Sequence, residues 1–151
     1  MMKILVFSDS HGAVSAMQKI VAEEQPDMIL HLGDHEYDCD GAFGAIRVVK
    51  VRGNCDHGSA EEKERFLDFG KTKIFMAHGH LYGVKSGLAS LLRRGEELGS
   101  TVILYGHTHR RYLWQNAEYS VMNPGTPMES YGVIEMDGDE LLSLRLEDAE
   151  R

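Results

Sequence analysis

Short apolar runs that each stop on glycine and on carboxylate, amide or imidazole side chains constrain this chain more than any other feature. Thr101 to Tyr105 reads as a buried strand. It ends at Gly106 and then presents His107 and His109. In extended backbone, residues two apart point the same way, so both imidazoles could reach one site just past the strand end. Alone, the pair is weak evidence for a metal. The texture recurs after other apolar runs, however. Lys3 to Phe7 leads into Ser8-Asp9-Ser10-His11-Gly12, and Met28 to Leu32 leads into Gly33-Asp34. Ile46 to Val51 leads into Arg52-Gly53-Asn54-Cys55-Asp56, and Lys73 to Ala77 into His78-Gly79-His80.

Between these runs the pattern predicts helices. Val14, Met17, Ile20 and Val21 fall near helical spacing within Ala13 to Glu24, and Pro26 closes that segment. Val84, Leu88, Leu91, Leu92 and Leu98 form a second helical stripe. The Asp-rich stretch from Asp34 to Gly44 reads as a loop, Ser59 to Glu64 as a solvated connector, and Arg65 to Gly70 as an edge strand. Strands alternating with helices predict an α/β fold, in which ligands gather at the carboxyl ends of strands. After His109 the texture changes. Arg111 to Gln115, Glu118 to Met122, Tyr131 to Met136 and Glu140 to Leu146 predict an antiparallel β part, read as a second sheet. Asp137-Gly138 supplies a hairpin signal, and the charged tail from Glu147 to Arg151 is expected to fray. With no repeat or linker in view, residues 1–151 are read as one domain.

Composition narrows the function classes. A formal net charge of −8 leaves no cationic excess to meet a phosphate backbone or an acidic bilayer. Only Cys39 and Cys55 are present, without a CxxC, so two free thiols in a reducing cytoplasm are expected. The start carries no apolar run long enough for a signal peptide, and Met1-Met2 leaves the true start open. No run approaches a membrane span.

Asp9, His11, Asp34, Asn54, His78, His107 and His109 are the candidate ligands. Each has an ordinary reading: Asp9 as a helix cap, Asp34 and Asn54 as turn residues, His78 as a satisfied core histidine. Nothing in packing requires all the strand ends to carry such groups together. Imidazole with carboxylate and no thiolate suits a site for Mn, Fe, Ni, Co or Zn better than it suits a thiolate-rich structural zinc site. Seven ligands exceed what one tetrahedral ion takes, but fit two ions sharing a carboxylate. Two ions roughly 3.5–4 Å apart are standard machinery for phosphate-ester hydrolysis, holding a hydroxide that makes a protein nucleophile unnecessary. No Gly-x-Ser-x-Gly elbow is present.

The ordered set Asp9-Ser10-His11, Gly33-Asp34, Gly53-Asn54-Cys55-Asp56, His78-Gly79-His80 and Gly106-His107-Thr108-His109 resembles the calcineurin-like metallophosphoesterases over nearly the whole chain. The short length and the Gly-Asn-Cys-Asp form are similar to the small prokaryotic phosphodiesterase branch. The resemblance implies a two-sheet α/β sandwich flanked by helices. It implies that Asp9, His11, Asp34 and His109 bind one divalent ion and that Asp34, Asn54, His78 and His107 bind the other, with Asp34 bridging. Mn is the first expectation, with Ni, Fe, Co, Zn or Mg as alternatives. One departure stands out. Many members carry a histidine after the motif asparagine, where it contacts phosphate or protonates the leaving group; here that residue is Cys55. His80 is the substitute candidate for general acid. Asp56 is expected either to orient a ligand histidine or to hold a turn, His35 and His57 to be solvated loop residues, and His31 to be a core residue. Asn123-Pro124-Gly125 resembles a turn bordering the site.

The expected activity is hydrolysis of a small phosphodiester by in-line attack of a hydroxide bridging two metals. A phosphomonoesterase or nucleotidase on the same site is the rival within the enzyme class. A protein-binding scaffold, as in a eukaryotic sorting-complex subunit of this fold, is the rival outside it. The acidic balance argues against long nucleic acid and against a membrane partner; a homo-oligomer is left open.

Overall fold

The computed structural model describes residues 1–149. Ten strands are formed: β1 Met2–Phe7, β2 Met28–His31, β3 Arg47–Lys50, β4 Glu64–Asp68, β5 Lys73–Ala77, β6 Val102–Leu104, β7 Tyr112–Gln115, β8 Ser120–Asn123, β9 Ser130–Asp137 and β10 Glu140–Asp148. Two α-helices join them, α1 Val14–Glu24 and α2 Ala89–Glu97. The strands make two five-stranded sheets, ordered β10-β9-β1-β2-β3 and β4-β5-β6-β8-β7. Within the first, β1, β2 and β3 run parallel; within the second, β5, β6 and β8 do.

Strict alternation along the strands explains the layering. Ile4 and Val6 of β1 point into the space between the sheets, where they meet Leu30, Ile74, Met76, Leu104, Met122 and Ile134. Leu5 and Phe7 point the other way and pack under α1 against Met17, Ile20 and Val21. Phe75, Ile103 and Val121 do the same on the outer face of the second sheet, packing under Leu91 of α2. Each sheet is thus apolar on both faces, and one helix covers each outer face. This is the α/β sandwich expected from the motifs.

Three expectations change in detail. The last four strands do not make a sheet of their own. The β7–β8 hairpin completes the second sheet, where β8 pairs parallel with β6, and the β9–β10 hairpin completes the first. The second helix is shorter than its stripe. Gly83 and Gly87, both with positive φ, interrupt the backbone before Ala89, so Val84 reaches the same apolar cluster from a turn. The tail is ordered farther than foreseen, because Glu147 and Asp148 still pair with Tyr131 and Ser130; residues 150–151 of the charged tail lie outside the described residues. The hairpin foreseen at Asp137-Gly138 forms, with Gly138 and Asp139 as its loop. The Asp-rich loop contains a short tight helix at Glu36–Cys39 that its composition did not announce.

Leu104 is fully buried between the sheets. Leu104→Ala is expected to cost roughly 2–5 kcal/mol. Leu142→Ala, at a position 54% exposed, should cost far less. Chemical denaturation of both variants checks the pair.

Candidate metal centre

The parallel strands β1, β2, β3, β5 and β6 deliver their carboxyl ends to one edge of the sandwich. The turns beyond them are drawn together by backbone hydrogen bonds, from Asp9 N–H to Gly33 O and from Gly106 N–H to His78 O, each 2.9 Å. Among the described residues, seven non-glycine residues have positive φ, and only Gln25, which ends α1, lies away from these turns. The other six are Asp9, His11, Asp34, His35, His107 and His109, with φ between 42° and 70°. Such backbone costs roughly 1–3 kcal/mol per residue and persists where surroundings impose it. Two glycines permit the close approach. A Cβ on Gly106 would collide with the Ser8 side chain and lie 2.7 Å from Asp9 Oδ2. One on Gly53 would strike the Asp34 carboxylate.

All seven candidate ligands converge. Asp9, His11, Asp34 and His109 each offer an atom within 4.8 Å of the others, and Asp34, His78 and His107 form a second such group. Asp34 belongs to both. Asn54 adjoins the second, with Oδ1 3.0 Å from His78 Nε2.

The hydrogen bonds around the cluster fix which atoms are free. His78 Nδ1 lies 2.9 Å from the Leu32 carbonyl, which only accepts, so the ring proton sits on Nδ1. Nε2 then faces inward. It meets Asn54 Oδ1 at 3.0 Å, His107 Nδ1 at 3.2 Å, Asp34 Oδ2 at 3.4 Å and Asp9 Oδ1 at 3.8 Å. Asp9 Oδ2 accepts from the Ser8 hydroxyl and from His107 N–H. Asp9 Oδ1 is buried with no hydrogen-bond partner, 3.2 Å from His109 Nε2. Asp34 Oδ1 accepts from Cys55 N–H at 2.9 Å, leaving Oδ2 between His78 and, at 3.9 Å, His11. Candidate ligand atoms therefore crowd one small volume, and the orphaned Asp9 oxygen fits a metal ligand rather than a helix cap. Neither Asp9 nor any other side chain caps α1.

Charge follows the same logic. Burial works against the Asp34 carboxylate, but its contacts with His78 and the Cys55 N–H prevail and hold it well below the usual carboxylate range. Burial also opposes protonation of His78, yet Asp34 and Asp9 outweigh it and raise the ring above its ordinary value. His107 is pushed down, first by burial and then by neighbouring His78.

Residues outside the ligand set hold the turns. The Asp56 carboxylate accepts four backbone N–H groups, those of Asp34, His35, Glu36 and Gly53, at 2.7–3.2 Å. It clasps the second and third motifs together and plays the turn role. His31 is buried as expected, but it is also wired to the site. Its Nδ1 accepts from Gly33 N–H at 3.1 Å, so Nε2 carries the proton and donates to Ser10 Oγ at 2.8 Å. Ser10 in turn donates to Asp38 Oδ2, which also accepts from Gly12 N–H. Asn123 Nδ2 donates to Gly106 O and Thr108 Oγ1, so the turn after β8 does border the site. Asp38 had no signal to distinguish it from its acidic neighbours. Asp56 had one, the Gly-x-x-Asp spacing of a tight turn.

His80 belongs to neither group. Its ring centre lies 5.5 Å from that of His78 and 6.2 Å from that of His107, and its Nδ1 is buried without a partner. Burial, and then the nearby His78, lower its pKa. Cys55 is exposed; partial desolvation and the Asp34 charge raise its thiol, which stays protonated. The His35 ring lies 4.7 Å from that of His11, tilted by 57°, and meets the Tyr37 hydroxyl at 3.0 Å, closer to the centre than a solvated loop residue would be. Cys39 and Cys55 are both free thiols. Among the described residues, no helix is long and apolar enough to cross a membrane.

A family model for the calcineurin-like phosphoesterase superfamily domain matches residues 2–138. A probable metallophosphoesterase of Bacillus subtilis, YsnB, is 35% identical over 148 residues, covering 91% of this chain and 86% of that protein. The phosphodiesterase YfcE of Escherichia coli is 28% identical, covering 95% and 93%. The fold is shared with wild-type Vps29 of Entamoeba histolytica, solved in complex with zinc, at a TM-score of 0.77 and 21% identity over 97% of this chain and 98% of that one.

Full burial pushes His31 down to about 4, and a second ring proton would displace the Gly33 N–H bond. The unfolded chain, with an ordinary histidine, then binds more protons than the fold between pH about 6.5 and 4. Stability should therefore fall as pH drops through that window, by on the order of 3 kcal/mol from this group. Urea midpoints measured across it should decline less steeply in His31→Gln, whose side chain takes up no proton.

Proposed function

Because the chain belongs to the calcineurin-like phosphoesterase superfamily, we propose that it is a metal-dependent phosphodiesterase acting on a small phosphodiester at a two-cation centre. One observation carries the reading: Asp34 is common to two groups of side-chain atoms, each of which could hold a metal ion. When bound, the two cations supply a hydroxide nucleophile near neutral pH and offset charge on the phosphoryl oxygens. Asp9, His11 and His109 would hold one cation and Asn54, His78 and His107 the other, with Asp34 available to both. The mixture of imidazole, carboxylate and amide accommodates Mn, our first choice, and equally Ni, Fe, Co, Zn or Mg.

The chain's own groups handle the substrate. His11, His109 and Cys55 are exposed at the mouth, so a small diester reaches the centre without a lid. A neutral Cys55 thiol in place of histidine supplies no cation for the second charge of a monoester, which favours a diester. His80, beside the second group with a free Nδ1, is positioned to give a proton to the leaving oxygen. The free thiols favour a reducing cytoplasm. The shared fold with Vps29 favours a second reading, a partner-binding scaffold; metal binding with no turnover of any ester would support it.

Asp34→Asn should abolish turnover of an activated diester in Mn²⁺, and near-normal activity would remove the bridging assignment. Parallel assays on a monoester and a diester separate phosphatase from phosphodiesterase. His80→Ala should slow substrates with poor leaving groups by about 10²-fold or more while sparing activated ones. An equal loss on both would exclude His80 as the proton donor.

A further inference from the structure

We propose that a pocket beside Asn54 is an oxyanion subsite, formed by Arg52 and Lys63, for a second phosphate of the substrate. The inference rests on the phosphodiesterase reading and names its substrate class, a diester in which one arm begins with a further phosphate.

The pocket holds about 230 Å³, and Arg52, His57, Lys63 and His80 line it together with Asn54 and Asp56. Ligand pockets for drug-sized molecules run from about 300 Å³ upward, so this one suits a phosphate group rather than a base or sugar. Its basic lining is conspicuous in a chain of net charge −8. Most of the neighbouring acids are already engaged. Lys50 pairs with Glu36, Asp40 and Glu61, and Arg65 pairs with Glu61. Glu62 lines a separate groove with Arg47. The Asp56 carboxylate spends both oxygens on four backbone N–H groups.

Among the described residues, neither Arg52 nor Lys63 has an ion-pair partner. Arg52 donates one guanidinium N–H to the Ser59 carbonyl at 3.3 Å, which orients the group and leaves its other donors for an oxyanion. Asn54 lines this pocket and also adjoins the second ligand group, and His80 of the pocket has its ring 5.5 Å from that of His78. An anion seated here is therefore next to a phosphoryl group held at the centre. A diphosphate diester supplies a second phosphate beside the first; a diester of two uncharged arms does not.

Two arms test the proposal. In chelator, calorimetry with inorganic phosphate should give saturable one-to-one binding, weakened about tenfold or more in Arg52→Gln/Lys63→Gln. Unchanged binding in that variant overturns the subsite. In Mn²⁺, the same variant should raise KM for a dinucleoside diphosphate about tenfold and change bis(4-nitrophenyl) phosphate by less than about twofold. An equal change on both substrates, or none on either, also overturns it. Lys63→Gln alone, at an exposed position, keeps both arms readable if loss of Arg52 impairs folding. A wild-type protein that hydrolyses no diester, yet binds phosphate through these two cations, overturns the phosphodiesterase reading and supports the subsite.

Discussion

The crowding of carboxylate, imidazole and amide groups at one edge of the sandwich organises this molecule. His78 Nε2, Asn54 Oδ1, His107 Nδ1, Asp34 Oδ2 and Asp9 Oδ1 all point into the same small volume. Asp9 Oδ1 is buried there with no hydrogen-bond partner. What holds them there acts from behind: the Leu32 carbonyl on His78, the Cys55 N–H on Asp34, and the Ser8 hydroxyl and His107 N–H on Asp9. Each outer contact uses up one face of a side chain and leaves the other directed inward, the arrangement by which proteins orient metal ligands.

The rest of the architecture serves that edge. Parallel strands from two sheets end there, and apolar side chains on both faces of each sheet make the strands rigid supports. The turns beyond them adopt backbone that side chains rarely tolerate, and the Asp56 clasp and the His31–Ser10–Asp38 relay keep them in place. Strain and repulsion are concentrated where chemistry is expected, and the hydrophobic layers between and outside the sheets offset them.

Much of this was legible in the residues. Lys3 to Phe7 and Met28 to Leu32 are apolar enough to be buried on both faces, and their polar ends mark the same edge that the coordinates do. The seven convergent side chains could be named because no packing need explains them together. What stayed hidden depends on long-range contacts. No local pattern says that β8 joins β6 in parallel while β9 joins β1, because strand partners are chosen by the shape of the assembled core. The short helix at Glu36–Cys39 lacks an apolar period, and Gly83 and Gly87 cut a helical stripe that hydrophobicity alone would have continued. The role of Asp38 is set by the Ser10 hydroxyl and the Gly12 N–H, distant partners with no sequence signature.

The pairing of β1 has a consequence for biogenesis. Met2 to Val6 lies between Met28–Leu30 on one side and Gly132–Met136 on the other. β1 is therefore made long before β9, the strand that covers its second edge. Until then an apolar ribbon with open hydrogen-bonding groups is available to other chains, and the motif at its end has no finished scaffold. Contacts this distant in sequence slow folding, so the edge that gathers the motif side chains is completed only when β9 docks.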